Sequence, residues 1–539
     1  MTTSLSRTAA PVLAVEDLAV SYGGVPAVSG IGFAVSPGRM TAIVGESGSG
    51  KTTSAMAAIG LLGPGARVEA GRITFRGEDI TESTPAQWRA LRGARIGLVP
   101  QDPNNSLNPL KTIGRSIEEG MEVHGIGDGA SRSERALELL EQVGIDDPEL
   151  RYRQYPHELS GGMKQRVLIA AAVALEPEVL IADEPTSALD VTVQKTILDL
   201  LDRMRAELGL GVVLITHDLA VAGDRADDVV IMERGRVVEA GPADAVLSSP
   251  SEEYSRRLLA DAPSLAVVNS RHRPPTGSDV LVSVEHLSKR YGGFTAVGDV
   301  SFEVYRGSTH ALVGESGSGK TTTGRTVSLF TEPTEGRVVI DGVDLAGLGA
   351  ADRRRMRGTV QMVHQNPFSS LDPRMTVEDI VAEPLRSLSR VPRRRARERA
   401  REALSLVALD PVLAGRRPAQ LSGGQRQRVA IARALIVEPE VVVLDEAVSA
   451  LDVTVQAQIL ELLERLQREL GLTYIFISHD LAVVRQISDT VSVFSHGTQV
   501  EYGRTDEVFD HPRAATTRTL IDAIPGALFR ARGLGEFIV

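Results

Sequence analysis

The chain is an internal duplication. The string VGESGSGKTT occurs at 44–53 and again at 313–322. Two further strings recur in the same order, SALDVTVQ at 187–194 and 449–456 and HDLAV at 217–221 and 479–483. Chance does not produce repeats of this length, so two copies of one structural unit follow each other along the chain.

The repeats set the expected domain boundaries. We predict copy one over 12–260 and copy two over 280–525. A Pro-Pro pair and the lack of apolar periodicity mark 261–279 as a linker. Residues 1–11 lack the apolar centre of a signal peptide and are predicted to be a flexible tail. Residues 526–539 form a C-terminal tail to which the sequence assigns no element.

Composition excludes several classes of protein. The 539 residues contain no cysteine, which excludes disulfides, thiolate metal sites and cysteine nucleophiles. The formal charge is −11, from 59 basic and 70 acidic residues, which argues against a dedicated nucleic-acid coat. No apolar run approaches the length of about 18 residues that a membrane-spanning helix needs.

Short apolar runs alternate with helical patterns in both copies. Continuous apolar strands of four or five residues are typical of a parallel sheet covered on both faces. The predicted buried strands are Thr41–Val44, Val179–Ala182, Val212–Ile215, Thr309–Val313, Val441–Leu444 and Tyr474–Ile477. The opening of each copy alternates apolar and polar residues before a Gly-Gly turn, which predicts a small antiparallel sheet. The fold class is therefore α/β, with two tandem domains.

GESGSGKT fits the phosphate-loop pattern G-x-x-x-x-G-K-[ST] between a predicted strand and a predicted helix. Glycines let backbone N–H groups close around phosphate oxygens, and the following helix N-terminus favours negative charge. Lys51 and Lys320 are expected to neutralise the β- and γ-phosphates of ATP, and Thr52 and Thr321 to offer hydroxyls to Mg²⁺. The other loop residues predicted to bind nucleotide are Gly45, Ser47, Gly48, Gly50, Thr53, Gly314, Ser316, Gly317, Gly319 and Thr322.

Each copy ends a predicted strand with two carboxylates. We predict that Asp183 and Asp445 hold Mg²⁺ through its water shell. Glu184 and Glu446 would polarise the attacking water as general bases. The alternative is that both acids only cap a turn, and the accompanying strand and phosphate loop favour the catalytic interpretation.

Two further polar positions recur. His217 and His479 follow apolar runs, each 34 residues after the predicted metal-binding Asp, and this spacing favours contact with the γ-phosphate over a structural role. Gln101 and Gln365 also follow apolar runs, where an amide could reach Mg²⁺ or the attacking water.

An LSGG string precedes a helical segment in each copy. Ser160 and Ser422 have the features of helix N-caps. The functional alternative is a second phosphate-binding helix N-terminus, at which Gly162 and Gly424 permit close approach of a nucleotide.

Phosphate loop, Gln, LSGG, Asp-Glu, SALD and His follow each other in one order in both copies. This order resembles the nucleotide-binding domains of ABC ATPases, over almost the whole chain. The resemblance implies a parallel-sheet core, a small antiparallel β subdomain and a helical subdomain in each copy, and head-to-tail pairing of the two copies. Tyr22 and Tyr291 would stack on adenine. The site of copy one would then face Ser422 and Gly424, and that of copy two Ser160 and Gly162.

The segments QDPNNSLNP and QNPFSSLDPRMTV resemble the ATPases of dipeptide, oligopeptide and nickel importers. The resemblance implies two transmembrane permease subunits, an extracytoplasmic solute-binding protein and a peripheral location at the cytoplasmic face of the membrane. Ser106–Val123 and Ser369–Leu385 are the expected docking segments. The alternative is a soluble twin-domain ATPase that acts on ribosomes or nucleic acid. A short Pro-rich linker and an Arg-rich segment interspersed with Glu, at 391–409, argue against that alternative.

Overall fold

The computed structural model describes residues 10–187, 189–265, 279–449 and 451–532. Most of the predicted N-terminal tail and linker, and the end of the C-terminal tail from 533, lie outside the described residues. The chain forms two compact units. Unit 1 takes the described residues within 1–189, 193–266 and 525–539, and unit 2 those within 190–192 and 267–524.

Unit 1 contains two sheets. Its strands are β1 (Leu13–Tyr22), β2 (Val25–Val35), β3 (Met40–Val44), β4 (Ala66–Phe75), β5 (Glu78–Asp79), β6 (Ile96–Val99), β7 (Val179–Asp183), β8 (Gly211–Thr216), β9 (Asp228–Glu233) and β10 (Arg236–Pro242). The first sheet is antiparallel, with the order β2-β1-β4-β5. The second has the order β10-β9-β3-β8-β7-β6, and only its β10 edge is antiparallel. The predicted parallel core and small antiparallel sheet are both confirmed.

The helices of copy one pack around the second sheet and beside it. They are α1 (Lys51–Ala58), α2 (Pro85–Leu91), α3 (Pro103–Ser106), α4 (Ile113–Val123), α5 (Gly129–Gln142), α6 (Pro148–Arg153), α7 (Gly161–Val173), α8 (Val191–Leu208), α9 (Leu219–Arg225), α10 (Ala243–Ser248) and α11 (Glu253–Ala260). Ala136, Leu139 and Leu140 form the buried face of α5, as the apolar spacing predicts.

Unit 2 repeats this plan. Its strands are β11 (Val280–Tyr291), β12 (Phe294–Tyr305), β13 (Thr309–Gly314), β14 (Glu335–Ile340), β15 (Val343–Asp344), β16 (Val360–Val363), β17 (Val441–Asp445), β18 (Thr473–Ile477), β19 (Thr490–Ser495) and β20 (Thr498–Arg504). They form one sheet of order β15-β14-β11-β12-β20-β19-β13-β18-β17-β16. The antiparallel and parallel parts join because Gly298 in β12 pairs with Thr498 in β20.

The helices of copy two match those of copy one in order, except that a 3₁₀ segment, Pro411–Gly415, replaces α6. They are α12 (Lys320–Val327), α13 (Ala350–Thr359), α14 (Pro367–Ser370), α15 (Val377–Leu388), α16 (Arg393–Leu406), α17 (Gly423–Leu435), α18 (Val453–Leu470), α19 (Leu481–Ile487), α20 (Thr505–Asp510) and α21 (Ala515–Asp522). A last short helix, α22 (Ala527–Ala531), belongs to unit 1 and lies in the segment to which the sequence assigns no element.

The core sits between the sheets and the helices. Every residue of β3, β7 and β8 is buried, because helices cover both faces of a parallel sheet. The buried strands end at one edge of each parallel sheet, which places the loops that follow them close together.

The Arg-rich segment forms α16, with a buried face of alanines and a charged outer face. Ala396 and Ala400 are fully buried, while Arg397 donates two hydrogen bonds of 2.8 and 2.6 Å to Asp379 of α15. The prediction of a solvated charged helix face is therefore confirmed for its outer side. None of the helices in the described ranges is long and apolar enough to cross a membrane.

Candidate active site

The phosphate loop of copy one joins β3 to α1 through left-handed backbone. Gly45, Gly48 and Gly50 have φ of 150°, 79° and 98°, and a Cβ on Gly45 would collide with the backbone oxygen of Met232. Residues with a side chain rarely adopt such angles. The N-cap of α1 is Gly50, and no side chain caps the helix there, so its first N–H groups are available to an anion.

Lys51 is hydrogen-bonded to the phosphate loop, to which its ammonium group adds positive charge. Its ammonium donates hydrogen bonds to the carbonyl oxygens of Gly45 and Glu46, at 2.8 and 2.9 Å. Lys320 repeats the arrangement with Gly314 and Glu315, at 2.7 and 2.8 Å. Each loop therefore concentrates positive charge beside its glycine backbone, as phosphate binding requires.

One serine in each loop was missed by the sequence analysis. The hydroxyl oxygens of Ser49 and Ser318 are buried and have no hydrogen-bond partner among the described residues. A buried unpaired hydroxyl costs about 1–3 kcal/mol. Each of these hydroxyls lies inside the phosphate loop, where an oxygen of a bound phosphate would supply the missing hydrogen-bond partner. A buried, unpartnered donor is visible only in three dimensions.

The hydroxyl of the predicted metal-binding threonine meets the aspartate that ends the neighbouring strand. Thr52 Oγ1 donates to Asp183 Oδ1 at 3.1 Å, across 131 residues of sequence. Thr321 Oγ1 makes the same bond to Asp445 Oδ1 at 3.0 Å. A hydroxyl and a carboxylate oxygen are hard ligands that Mg²⁺ prefers, so the pair fits this cation.

The catalytic candidates Glu184 and Glu446 have left-handed backbone, with φ of 44° and 46°. Such a conformation costs about 1–3 kcal/mol and persists where the surroundings enforce it. Here the amide of Glu184 donates to the carbonyl of Ile215 at 2.9 Å, and Glu446 bonds Ile477 at 3.0 Å. The neighbouring strand thus fixes the turn from which each carboxylate projects.

Two side chains flank the Glu184 carboxylate. Gln101 Nε2 donates to Oε2 at 2.8 Å, and His217 Nδ1 lies 3.5 Å from Oε1. In copy two the amide of Gln365 donates to Glu446 at 2.7 Å, and His479 lies 3.5 Å away. The distances agree between the two copies, but in copy two both side chains meet the same oxygen, Oε2 of Glu446.

In each Asp-Glu pair the pKa of the aspartate is raised and the pKa of the glutamate is lowered. Burial raises the pKa of Asp183 to about 6, although the Thr52 hydroxyl opposes the shift. A divalent cation at this position would favour the ionised form again. Burial also acts on Glu184, but the hydrogen bond and charge of His217 outweigh it and lower the pKa of Glu184 below its usual value. Glu184 is therefore an ionised acceptor near neutral pH, as a general base must be.

The LSGG serines cap helices. Ser160 caps α7 by accepting from the amide of Met163 at 3.4 Å. Ser422 caps α17 by accepting from Gln425 at 3.3 Å, and its own amide donates to the Gln425 side chain at 3.1 Å. The N-cap interpretation is confirmed, and the phosphate-binding interpretation stays a prediction.

The glycines after these serines have a packing role. A Cβ on Gly162 would lie 2.5 Å from Val193, and one on Gly424 would lie 2.5 Å from Val455. The helix can begin here only because no side chain occupies that space.

The remaining predicted residues lie near the loops or at strand ends. Tyr22 and Tyr291 are exposed at the ends of β1 and β11, and the ammonium of Lys289 lies over the ring of Tyr291, 5.1 Å from its centre. Ser47 is exposed in the loop of copy one, and Thr53 lies in the first turn of α1. The equivalents in copy two, Ser316 and Thr322, lie in the exposed part of the loop and in the first turn of α12.

The glycine loop, the lysine, the Thr–Asp pair and the ionised glutamate at the carboxyl edge of a parallel sheet define a P-loop nucleoside triphosphatase. The family model described as ABC transporter matches residues 28–187 and 297–449.

Relatives match over almost the full length. The oligopeptide transport ATP-binding protein OppD of Mycobacterium tuberculosis is 39% identical, over 96% of this chain and 98% of the relative. The glutathione import ATP-binding protein GsiA of Escherichia coli K12 is 40% identical, over 96% and 90%. The peptidoglycan transport ATP-binding protein YejF of Agrobacterium fabrum is 42% identical, over 95% and 96%. The chain belongs to the ABC transporter family, and it is an ATP-binding ABC-type ATPase.

Proposed function

We propose that each copy binds ATP with Mg²⁺ and hydrolyses it. The observation that carries this proposal is the Gln–Glu–His arrangement beside the Thr–Asp pair, which both copies repeat with distances that agree within 0.1 Å. The glycine loop and Lys51 would bind the phosphates. Thr52 and Asp183, with the nearby Gln101, would hold Mg²⁺, which supplies charge neutralisation at the phosphate oxygens.

In copy one, each catalytic-site residue has a separate role in ATP hydrolysis. Glu184 accepts a proton from water as the water oxygen bonds to the γ-phosphorus and the bond to the ADP oxygen breaks. Gln101 and His217 orient the carboxylate from its two oxygens. Lys51 offsets charge at the leaving phosphate. Copy two assigns the same roles to Glu446 and its neighbours, except that Gln365 and His479 both orient the carboxylate through one oxygen, Oε2.

We propose that each ATP is completed by the LSGG helix of the opposite copy. The support is the head-to-tail arrangement that the family resemblance implies, together with a helix N-terminus in each copy that begins at the LSGG serine, Ser160 or Ser422. In this arrangement ATP binding closes the two copies and product release reopens them.

The biological role that we propose is energy coupling in an importer of peptides or a related small solute. The names of the relatives support this role, because they are ATP-binding proteins of oligopeptide, glutathione and peptidoglycan transport. Two permease subunits and an extracytoplasmic solute-binding protein would complete the importer, with this chain attached peripherally at the cytoplasmic face.

A cleft in unit 2 supports docking of a permease near the site. Its volume is ≈ 770 Å³, and both the catalytic-site residue Gln365 and Glu383 of α15 line it. Arg325 and Arg433 also line it. A segment bound in this cleft would lie beside the amide that holds Glu446, which gives a direct route from docking to hydrolysis.

Reconstitution tests this function. The chain is incorporated into vesicles with candidate permease subunits, and ATP hydrolysis is measured with and without candidate peptides and a solute-binding protein. Peptide-stimulated hydrolysis and uptake are expected. Hydrolysis that ignores the permeases, together with co-sedimentation of the chain with ribosomes, would instead support the soluble twin-domain alternative.

A further inference from the structure

The C-terminal segment of the chain folds against unit 1. The described residues from 279 to 524 belong to unit 2, and the chain then re-enters unit 1 at Pro525. Most of this segment is exposed up to Arg532, but Gly526 and Phe529 are buried, and Phe529 is 0% exposed. A fully buried aromatic ring beside exposed neighbours indicates a specific docked segment. We call residues 525–532 the C-terminal strap.

The strap docks on α9, the helix that follows His217. The two oxygens of Asp224 accept from the backbone amides of Gly526 and Phe529, at 2.7 and 2.8 Å. These are the N-cap and third positions of α22, so Asp224 caps the strap helix from another part of the chain. A Cβ on Gly223 would lie 3.0 Å from the Phe529 ring, which shows how closely the ring packs on α9.

Contacts at the edges extend the interface. Gly526 packs beside Leu265 and Ala220, because a Cβ added to it would lie 3.1 and 3.3 Å from their side chains. Arg530 donates to the carbonyl oxygen of Ser264. Arg532 pairs with Asp244 of α10 at 3.2 Å.

Copy two lacks the receiving surface. The position of Gly223 is taken by Arg485, which pairs with Asp510 at 2.7 Å, and the position of Asp224 is taken by Gln486. An arginine side chain would fill the space that the Phe529 ring needs. The strap therefore fits α9 and does not fit its equivalent α19.

Two adjacent residues connect the candidate active site of copy one to α9. Asp218 caps α9 by accepting from Ala220 and Val221 at 2.9 and 3.3 Å, and His217 immediately precedes it. A shift of α9 therefore moves the imidazole that lies 3.5 Å from Glu184.

We propose that the C-terminal strap positions α9, and through it His217, so that Phe529 and Asp224 are positioning residues for the active site of copy one alone. This inference deepens the proposed function, because it rests on the assignment of His217 to the catalytic site. It makes the two sites unequal, since the strap docks on α9 of copy one and does not fit the equivalent helix α19 of copy two.

The test removes the strap and then returns it. The chain is ended after Ile524, and a synthetic peptide of residues 525–539 is added in trans. Amide exchange is measured over 217–226 of copy one and over the equivalent 479–488 of copy two, together with kcat and KM for ATP. Phe529→Ala in the full chain is compared with Leu528→Ala, because Leu528 is the exposed neighbour on the same helix.

Truncation is expected to speed exchange by about tenfold or more over 217–226 and to leave 479–488 unchanged. In the Glu446→Gln background, where copy one supplies the turnover, we expect kcat to fall by more than about threefold with little change in KM, since a misplaced catalytic group lowers the rate more than it weakens binding. The peptide restores both measurements, and Phe529→Ala, unlike Leu528→Ala, reproduces the loss. In the Glu184→Gln background, truncation changes the residual turnover no further.

Three results would overturn the inference. These are unchanged exchange over 217–226, unchanged kcat despite faster exchange, and equal acceleration in both copies. Failure of the proposed function is distinguishable, because a full-length chain that hydrolyses no ATP still reports strap docking through amide exchange and peptide binding.

Discussion

The side-chain amide of Gln101 lies 2.8 Å from the carboxylate of Glu184, which stands 83 residues later in the sequence. Gln101 follows β6, at the edge of the parallel sheet, and it leads directly into α3 and α4. A displacement of α4 would therefore move Gln101, the residue that contacts the proposed general base Glu184. The equivalent bond from Gln365 to Glu446 gives unit 2 the same connection.

Each glutamate is expected to be needed for hydrolysis at its own site. Glu184→Gln and Glu446→Gln keep the size of the side chain and its contact with the neighbouring glutamine, but they remove the base. Single-turnover hydrolysis at the altered site should fall by about 10²–10⁴-fold while ATP still binds. Each variant serves as the control for the other. A rate left untouched by either change would show that this site is silent.

The Thr52 hydroxyl is expected to set the Mg²⁺ requirement of copy one. Thr52→Val removes the donor to Asp183 and a metal ligand but keeps the shape of the side chain. Because a hydrogen bond to a charged group contributes about 1.5–3 kcal/mol, half-maximal hydrolysis should need about tenfold more Mg²⁺, or greater. Thr52→Ser retains the hydroxyl and should behave as the parent. Equal Mg²⁺ titrations for all three proteins would contradict the role.

The sequence predicts the parallel core well, because fully apolar strands and the glycine loop leave few alternatives. The predicted run Val441–Leu444 lies within β17, which the structure extends only to Asp445. Glycine loop, lysine and paired carboxylates were also predictable, since their chemistry depends on residue type and local order. What the sequence could not give depends on contacts between distant residues. The buried Ser49 hydroxyl and the docking of Phe529 on α9 both belong to this group.

His310 is expected to make unit 2 sensitive to acid. Its ring lies fully buried between Thr490 and Ser492, at 2.8 and 3.0 Å, and burial lowers its pKa to about 3. The titratable group that faces it is Tyr502, 5.9 Å away, whose pKa burial raises and which therefore stays neutral in acid.

The direction of this pH dependence of stability follows from proton binding. The unfolded chain protonates His310 near pH 6.5, whereas the folded protein resists until about pH 3. The stability from the neutral ring is thus complete above pH 6.5. It is lost as the pH falls towards 3, by up to about 1.4 kcal/mol per pH unit. Urea unfolding of His310→Gln should show a flatter pH dependence in this window, whereas the exposed His511→Gln should match the parent. Parallel curves for all three would disprove the assignment.

Head-to-tail pairing can be tested because the chain contains no cysteine. In the proposed arrangement Ser160 faces the phosphate loop of copy two, so Ser160→Cys with Ser316→Cys should cross-link on oxidation when ATP is bound. The cross-linked chain migrates differently under denaturing conditions. Ser422→Cys with Ser316→Cys places both thiols in one copy and should not cross-link. The reverse pattern would refute the composite site.

The N-terminus of the LSGG helix is capped differently in the two copies, and a single substitution should remove this difference. Gln425 bonds back to the amide of Ser422 and forms a capping box, whereas the thioether of Met163 offers only a weak acceptor to Ser160. Met163→Gln should therefore stabilise the first turn of α7, by about 0.5–1 kcal/mol, because a second orphan amide gains a partner. Amide exchange at Ser160 and Met163 should slow by roughly two- to fivefold. Gln425→Met is the reciprocal control, and exchange at the start of α17 should rise by a similar factor. If neither substitution alters amide exchange at its own helix start, the reciprocal hydrogen bond adds no stability. The difference between Met163 and Gln425 would then have no effect on the stability of either LSGG segment.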